Sequence, residues 1–156
     1  MSVSALDTST LPYLDGGVVA ILRSKWHDDL VQNMATACTH VLLEHGVETV
    51  EDHVLPGTLE LPLSVRVLAE KYEYDAFVCL SVVEKGNTAH FDMIIHATTQ
   101  ALQRVSVEQK VPVINEIIAV YDIADAVARA SDDEFNKGIE AAAAALEMIN
   151  FMRSNG

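Results

Sequence analysis

The sequence predicts an α/β fold, a parallel sheet of four strands covered by helices on both faces. Two observations lead there. β-Branched apolar runs alternate with longer segments whose apolar residues recur at helical spacing, the pattern of βαβ units. The 156 residues, half of them apolar, also make one domain, large enough to bury about two-thirds of its unfolded surface in a single core.

The elements follow in order. Residues 17–22 are a short apolar run and read as a buried strand. Trp26-His27-Asp28-Asp29 comes next, and then Leu30, Met34, Cys38, Val41 and Leu42 recur at helical spacing until Gly46 supplies a C-cap. Residues 47–55 alternate as a second strand that stops at Pro56-Gly57, and residues 61–72 form a helix with Pro62 tolerated in its first turn. The third strand covers 75–83, the third helix 88–109 and the fourth strand 111–120, before two helices over 122–130 and 136–152. The alanine run from Ala141 to Ala145 marks close helix packing. Residues 1–16 are polar and turn-rich, so a flexible arm is expected there and a folded domain over 17–156.

Composition narrows the function. A formal charge of −13 argues against nucleic acid, whose affinity comes largely from basic side chains on phosphates. Any phosphate site must therefore concentrate its positive charge locally, and only ten Lys and Arg are available. No apolar run reaches transmembrane length and the N-terminal stretch lacks a basic region, so neither membrane nor export is expected. Cys38 and Cys79 sit among apolar residues without ligand or disulfide-framework spacing, which fits a reducing cytoplasm. His40 and His45, like His90 and His96, miss the i, i+4 spacing of a helical metal pair, so no metal site is expected.

The chemistry concentrates in Val82-Val83-Glu84-Lys85-Gly86-Asn87-Thr88-Ala89-His90-Phe91-Asp92, a strand end, a glycine turn and a helix start. Backbone N–H groups and the positive end of the helix dipole suit an anion there. Thr88 is placed to cap the helix, and His90 in its first turn can carry a proton near neutral pH. Trp26, Gly57 to Glu60, Lys85 to His90 and Asn115 are all expected at or just beyond the carboxyl ends of strands, where open α/β sheets bind ligands. Each residue also has a plainer reading. His90 can be a capping or surface histidine, and Trp26 a core aromatic instead of a stacking platform. Glu60 can simply favour a helix start. Arg129 and Lys137 flank Asp132-Asp133-Glu134 and can be surface partners to it.

The segment around His90 resembles the Gly-Ala-Val-Ile-Arg-Gly-x-Thr-x-His-Phe-Asp signature of the lumazine synthase family, and the likeness extends over the chain after residue 16. Arg23-Ser24-Lys25-Trp26-His27 resembles that family's Ala-Arg-Phe/Trp-Asn/His segment, and Pro56-Gly57-Thr58-Leu59-Glu60-Leu61-Pro62 its Pro-Gly-Ala-Phe-Glu-Ile-Pro. Arg129 with Asn136-Lys137-Gly138 is similar to its Arg…Asn-Lys-Gly pattern. The resemblance implies a flavodoxin-like three-layer sandwich and a role for each matched residue. Trp26 would stack on a pyrimidine, and Gly57, Thr58 and Glu60 would hold a ribityl chain. Val83, Glu84 and Lys85 would border the substrate, with the first two offering backbone to the uracil edge. Gly86, Asn87, Thr88, Arg129 and Lys137 would bind phosphate, and His90 would move protons. Asn115 would reach in from an adjacent protomer of a pentamer.

The implied reaction joins 5-amino-6-ribitylaminouracil to 3,4-dihydroxy-2-butanone 4-phosphate, giving 6,7-dimethyl-8-ribityllumazine, phosphate and water. It is the penultimate step of riboflavin biosynthesis and needs no metal or organic cofactor. Several positions depart from the family pattern. Glu84 stands where an apolar residue is usual, Asn115 replaces a phenylalanine, Glu116 and Ala119 replace a glycine and a threonine, and residues 131–135 are acidic. Two further readings therefore stand beside the synthase. One is a divergent paralogue acting on a related diaminopyrimidine. The other is a non-catalytic flavin- or lumazine-binding oligomer or scaffold.

Overall fold

A computed structural model describes residues 4–156, so the first three residues of the arm expected over 1–16 lie outside the described residues. Four parallel strands, β1 (Val18–Ser24), β2 (Thr49–Leu55), β3 (Ala76–Glu84) and β4 (Val113–Val120), form one sheet in the order β2-β1-β3-β4. Five helices connect and cover it: α1 (Asp28–Glu44), α2 (Leu61–Lys71), α3 (His90–Gln109), α4 (Ile123–Ala130) and α5 (Lys137–Asn155). The α/β sandwich expected from the alternating pattern is the fold observed.

Strand periodicity divides the core in two. Val19 and Ile21 of β1, with Val78, Leu80 and Val82 of β3, pack under α1, α4 and α5. The intervening residues Ala20, Leu22, Phe77 and Cys79 face Leu61 and Val65 of α2 and Leu102 and Val105 of α3. The two central strands are buried on both faces, which is why they read as continuous apolar runs, whereas edge strand β2 is half exposed. Ala141, Ala142 and Ala145 bring α5 close to α1, and a Cβ added at Gly138 would collide with the Met34 carbonyl oxygen. The alanine run does mark close helix packing.

The ends of elements show where local reading stops. β1 continues through Arg23 and Ser24 because tertiary partners satisfy both polar side chains. The Arg23 guanidinium donates to both Asp52 carboxylate oxygens, at 2.9 and 3.1 Å, and to Asp28 at 2.9 Å. Those bonds, Asp52 foremost, raise its pKa further. Helix α3 starts at His90 with Ala89 at the N-cap, and the Thr88 hydroxyl accepts the His90 N–H at 3.3 Å from one residue further out. A single 3₁₀ turn, Thr58–Glu60, precedes α2. Helix α1 ends at Glu44 with His45 as its C-cap, and Gly46 follows with φ +93°, a conformation suited to glycine. The Leu14 N–H donates to the His45 carbonyl at 2.7 Å, and the Leu14 side chain is buried in the core.

Helix α3 ends on a left-handed residue that is not glycine, Lys110 at φ +54°. Lys110→Gly is expected to raise stability by about 1 kcal/mol by removing the Cβ conflict of that conformation. Urea unfolding midpoints of the two proteins check it, and an unchanged or lower midpoint would contradict it.

Candidate active site

The chain leaves β1, passes to β2 on one side and then to β3 on the other, so the connections diverge between β1 and β3. A cleft of about 500 Å³ opens at that point, just outside the carboxyl ends of the strands. Four segments wall it. The β1–α1 turn contributes Trp26 and His27, and the β2–α2 turn contributes residues 56–60. The end of β3 adds Val82, Val83 and Glu84, and the first turns of α3 add His90 and Ile94. The Lys25 N–H donates to the Leu55 carbonyl at 3.1 Å, which holds the first two turns side by side.

Trp26 is 64% exposed, so it is a cleft wall and not the core aromatic of the plainer reading. Gly57 has extended backbone that any residue adopts, and it is the space around it that calls for glycine. A Cβ there would lie 3.0 Å from a Glu60 carboxylate oxygen and 3.8 Å from Trp26 Nε1. Its absence keeps room between the ring and the carboxylate. His90 faces the same space from the α3 N-terminus, where N–H groups without helical partners favour negative charge. A flat heterocycle, a hydroxylated chain and a proton-transfer group can therefore meet in one pocket.

The glycine turn leads from β3 to His90. Gly86 has no heavy atom within 4 Å of where a Cβ would stand, so the turn lies open. Gly86, Asn87 and Thr88 are exposed beside the cleft without lining it. Lys85 is directed elsewhere, its Nζ 5.1 Å from the centroid of the Tyr121 ring. The ring of Phe91 also packs on Tyr121, with centroids 6.0 Å apart.

Three other expected site residues lie apart from this cleft. Asn115, expected at a carboxyl strand end, is instead the third residue of β4, paired in register with Cys79, and its side chain accepts the Ile117 N–H at 3.1 Å. Arg129 closes α4 and donates to the Asp125 carbonyl at 2.8 Å. Lys137, which the plainer reading put on the surface, is 2% exposed at the start of α5, with Nζ 2.8 Å from Glu140. Both belong to the helical layer opposite α2 and α3.

Sequence reasoning passed over His27 and Ile94. His27 takes a left-handed conformation at the N-cap of α1, and no local pattern announced it. Ile94 was legible, because it stands one helical turn after His90 on the same face. In the sequence Glu116 is only a departure from the family pattern; it alternates along β4 with Ile114 and Ile118 and so faces α1 and α5. Burial, reinforced by Glu140 and opposed by Lys137, pushes its pKa up to about 7. Burial likewise raises both thiols, Cys79 to about 12, which leaves them unreactive. No group of three or more metal-ligating side chains stands together among the described residues. No helix among them is long and apolar enough to cross a membrane.

Comparison with known proteins agrees along nearly the whole chain. The family model described as 6,7-dimethyl-8-ribityllumazine synthase matches residues 17–153. A protein of that name from Acidovorax ebreus is 32% identical over 152 residues, covering 94% of this chain and 95% of the relative. Its namesake from Thermococcus onnurineus is 37% identical over 139 residues, 89% of this chain and 91% of the relative. A third, from Desulfosudis oleivorans, is 36% identical over 139 residues and 88% of each chain.

Proposed function

The chain belongs to the 6,7-dimethyl-8-ribityllumazine synthase family, and from that premise we propose how its cleft performs the condensation of 5-amino-6-(D-ribitylamino)uracil with 3,4-dihydroxy-2-butanone 4-phosphate. The observation that carries the reading is the meeting of Trp26, Glu60 and His90 around one cleft at the switch point of the sheet. The pyrimidine stacks on Trp26, and the Val83 and Glu84 backbone borders its edge. Its ribityl chain runs along Gly57 and Thr58 to the Glu60 carboxylate. The primary amine attacks the ketone and forms an imine with loss of water. Phosphate then leaves, and the ribityl-bearing nitrogen closes the ring with loss of a second water. His90 carries protons between these steps. Both reactants arrive with their own nucleophile and leaving group, so the protein contributes orientation and charge stabilisation.

The phosphate lies at the open turn Gly86-Asn87-Thr88, with Lys85 close by in sequence. Arg129 and Lys137 sit in the opposite helical layer of the same subunit. In this reading a neighbouring subunit of a homopentamer brings Arg129 to the turn, and with it Asn115, and the protein acts in the cytoplasm. Arg129→Ala is expected to raise the KM for the phosphorylated ketone about tenfold or more, since a charge-assisted contact contributes roughly 1.5–3 kcal/mol. The KM for the pyrimidine stays near its original value. Steady-state kinetics with each substrate varied in turn decide this, and unchanged KM values would remove Arg129 from the site.

The deciding experiment for the function is a turnover assay with both substrates, followed by lumazine absorbance. Efficient product formation is expected. A folded protein that forms no product yet binds lumazine or riboflavin would replace the enzyme with a binding protein. One observation favours a second reading: Glu84 is among the residues that line the cleft, and a carboxylate there would suit a related diaminopyrimidine with an added hydrogen-bond donor. Turnover of that compound in preference to the ribitylaminouracil would establish it.

A further inference from the structure

Behind the cleft lies a buried chain of three hydroxyls. Ser24 Oγ is 2.9 Å from Ser81 Oγ, and Ser81 Oγ is 2.6 Å from Thr58 Oγ1. The register explains the first contact. Arg23 pairs with Leu80, so Ser24 and Ser81 are neighbours at the ends of β1 and β3. Alternation turns both toward the face of Leu22 and Cys79, under the 3₁₀ turn that carries Thr58. Ser24 and Ser81 are wholly enclosed at 0% exposure, whereas Thr58 is 8% exposed and forms part of the cleft wall.

Counting hydrogens gives the chain a direction. Each hydroxyl has one donor hydrogen, and two bonds among three hydroxyls consume two of them. The third sits on whichever hydroxyl donates to neither of the others. Were it on Ser24 or on Ser81, a donor would be buried beyond reach of water, for neither serine hydroxyl has a further side-chain bond among the described residues. The alternative order, Ser24 to Ser81 to Thr58, satisfies both enclosed serines and leaves the spare hydrogen on the residue that borders the cleft. Successive bonds in one direction also polarise one another, and the 2.6 Å contact to Thr58 is at the short end for a hydroxyl pair.

We propose that Ser24 and Ser81 are positioning residues that fix the Thr58 hydroxyl as a hydrogen-bond donor to a ligand hydroxyl in the cleft. The inference rests on the proposed function for the identity of that ligand, whose ribityl chain supplies the acceptor. It adds to the backbone role expected of Thr58 a side-chain role set by two residues that touch no ligand. Such a donor discriminates, because a ligand without the hydroxyl leaves it unpaired.

The test measures binding of two compounds by quenching of Trp26 fluorescence, the only tryptophan in the chain. One is 6,7-dimethyl-8-ribityllumazine, and the other 6,7,8-trimethyllumazine, which lacks the hydroxylated chain. Thr58→Val is expected to weaken the ribityl compound about tenfold and leave the trimethyl compound within about twofold. Thr58→Ser restores ribityl binding, and Ser81→Ala weakens it about threefold in the same selective way, with Thr58 left unsteered. Equal losses for both compounds, with a lowered unfolding midpoint, would mean that the chain only braces the turn. No loss for the ribityl compound would overturn the proposal as well. If the unaltered protein binds neither compound, the proposed function itself falls and takes this inference with it.

Discussion

His90→Ala lowers kcat by about two orders of magnitude, the lower range of what a positioned acid–base group contributes. His90 opens α3 and borders the cleft opposite Trp26 and Glu60. Imine formation, loss of phosphate and ring closure all need a proton added or removed, and histidine is the side chain that does both near neutral pH. The side chain is exposed and belongs to neither core cluster, so its truncation should change stability by no more than about 0.5 kcal/mol. Turnover and urea unfolding measured on the same preparation separate the two effects. Undiminished kcat would take His90 out of the mechanism, whereas a parallel loss of stability would assign it a structural role.

Glu116→Gln stabilises the protein by roughly 3 kcal/mol at pH 8 and by almost nothing at pH 4.5. Glu116 points from β4 into the apolar layer beneath α1 and α5, close enough to Glu140 for repulsion, and Lys137 already pairs with Glu140 at 2.8 Å. One cation cannot neutralise two carboxylates there. The Glu116 pKa rises from its ordinary 4.5 to about 7, so between those values the folded state holds a proton that the unfolded state releases. The contribution of Glu116 to stability therefore falls as pH rises through that window and reaches its full cost, roughly 3 kcal/mol, above pH 7. Glutamine keeps the shape, stays neutral and leaves the Lys137–Glu140 pair in place. Urea unfolding of both proteins at pH 4.5 and pH 8 checks it. An equal difference at the two pH values would show that charge is not the cause.

Much of the candidate site could be read along the chain because its parts are contiguous turns. Gly57 to Glu60 and Val83 to His90 each span a strand end and a helix start, so their chemistry and their place in the fold are written together. Trp26 was legible as a residue of interest, but its role was not. Whether a lone tryptophan walls a cleft or fills a core depends on what packs over it, and nothing in the neighbouring residues says so. Lys85 shows the same limit. Its place beside the glycine turn suggested a residue bordering the substrate, yet Tyr121, brought alongside when β3 and β4 pair, draws the ammonium to its ring.

By itself the sequence determined the order of strands and helices, the parallel sheet and the segments that meet at its carboxyl edge. Periodicity and turn chemistry are local, and a βαβ chain has little choice but to return each strand to the same edge. Only the tertiary structure decided that Asn115 stands apart from the cleft, that Arg129 and Lys137 occupy the layer away from it, and that Glu116 meets Glu140. It also decided that Ser24, Ser81 and Thr58 form one chain, with partners 57 and 23 residues apart. The physical reason is common to all of these. Strand register and helix packing set the direction of a side chain and the groups it meets, and those are fixed by distant residues that no local pattern contains.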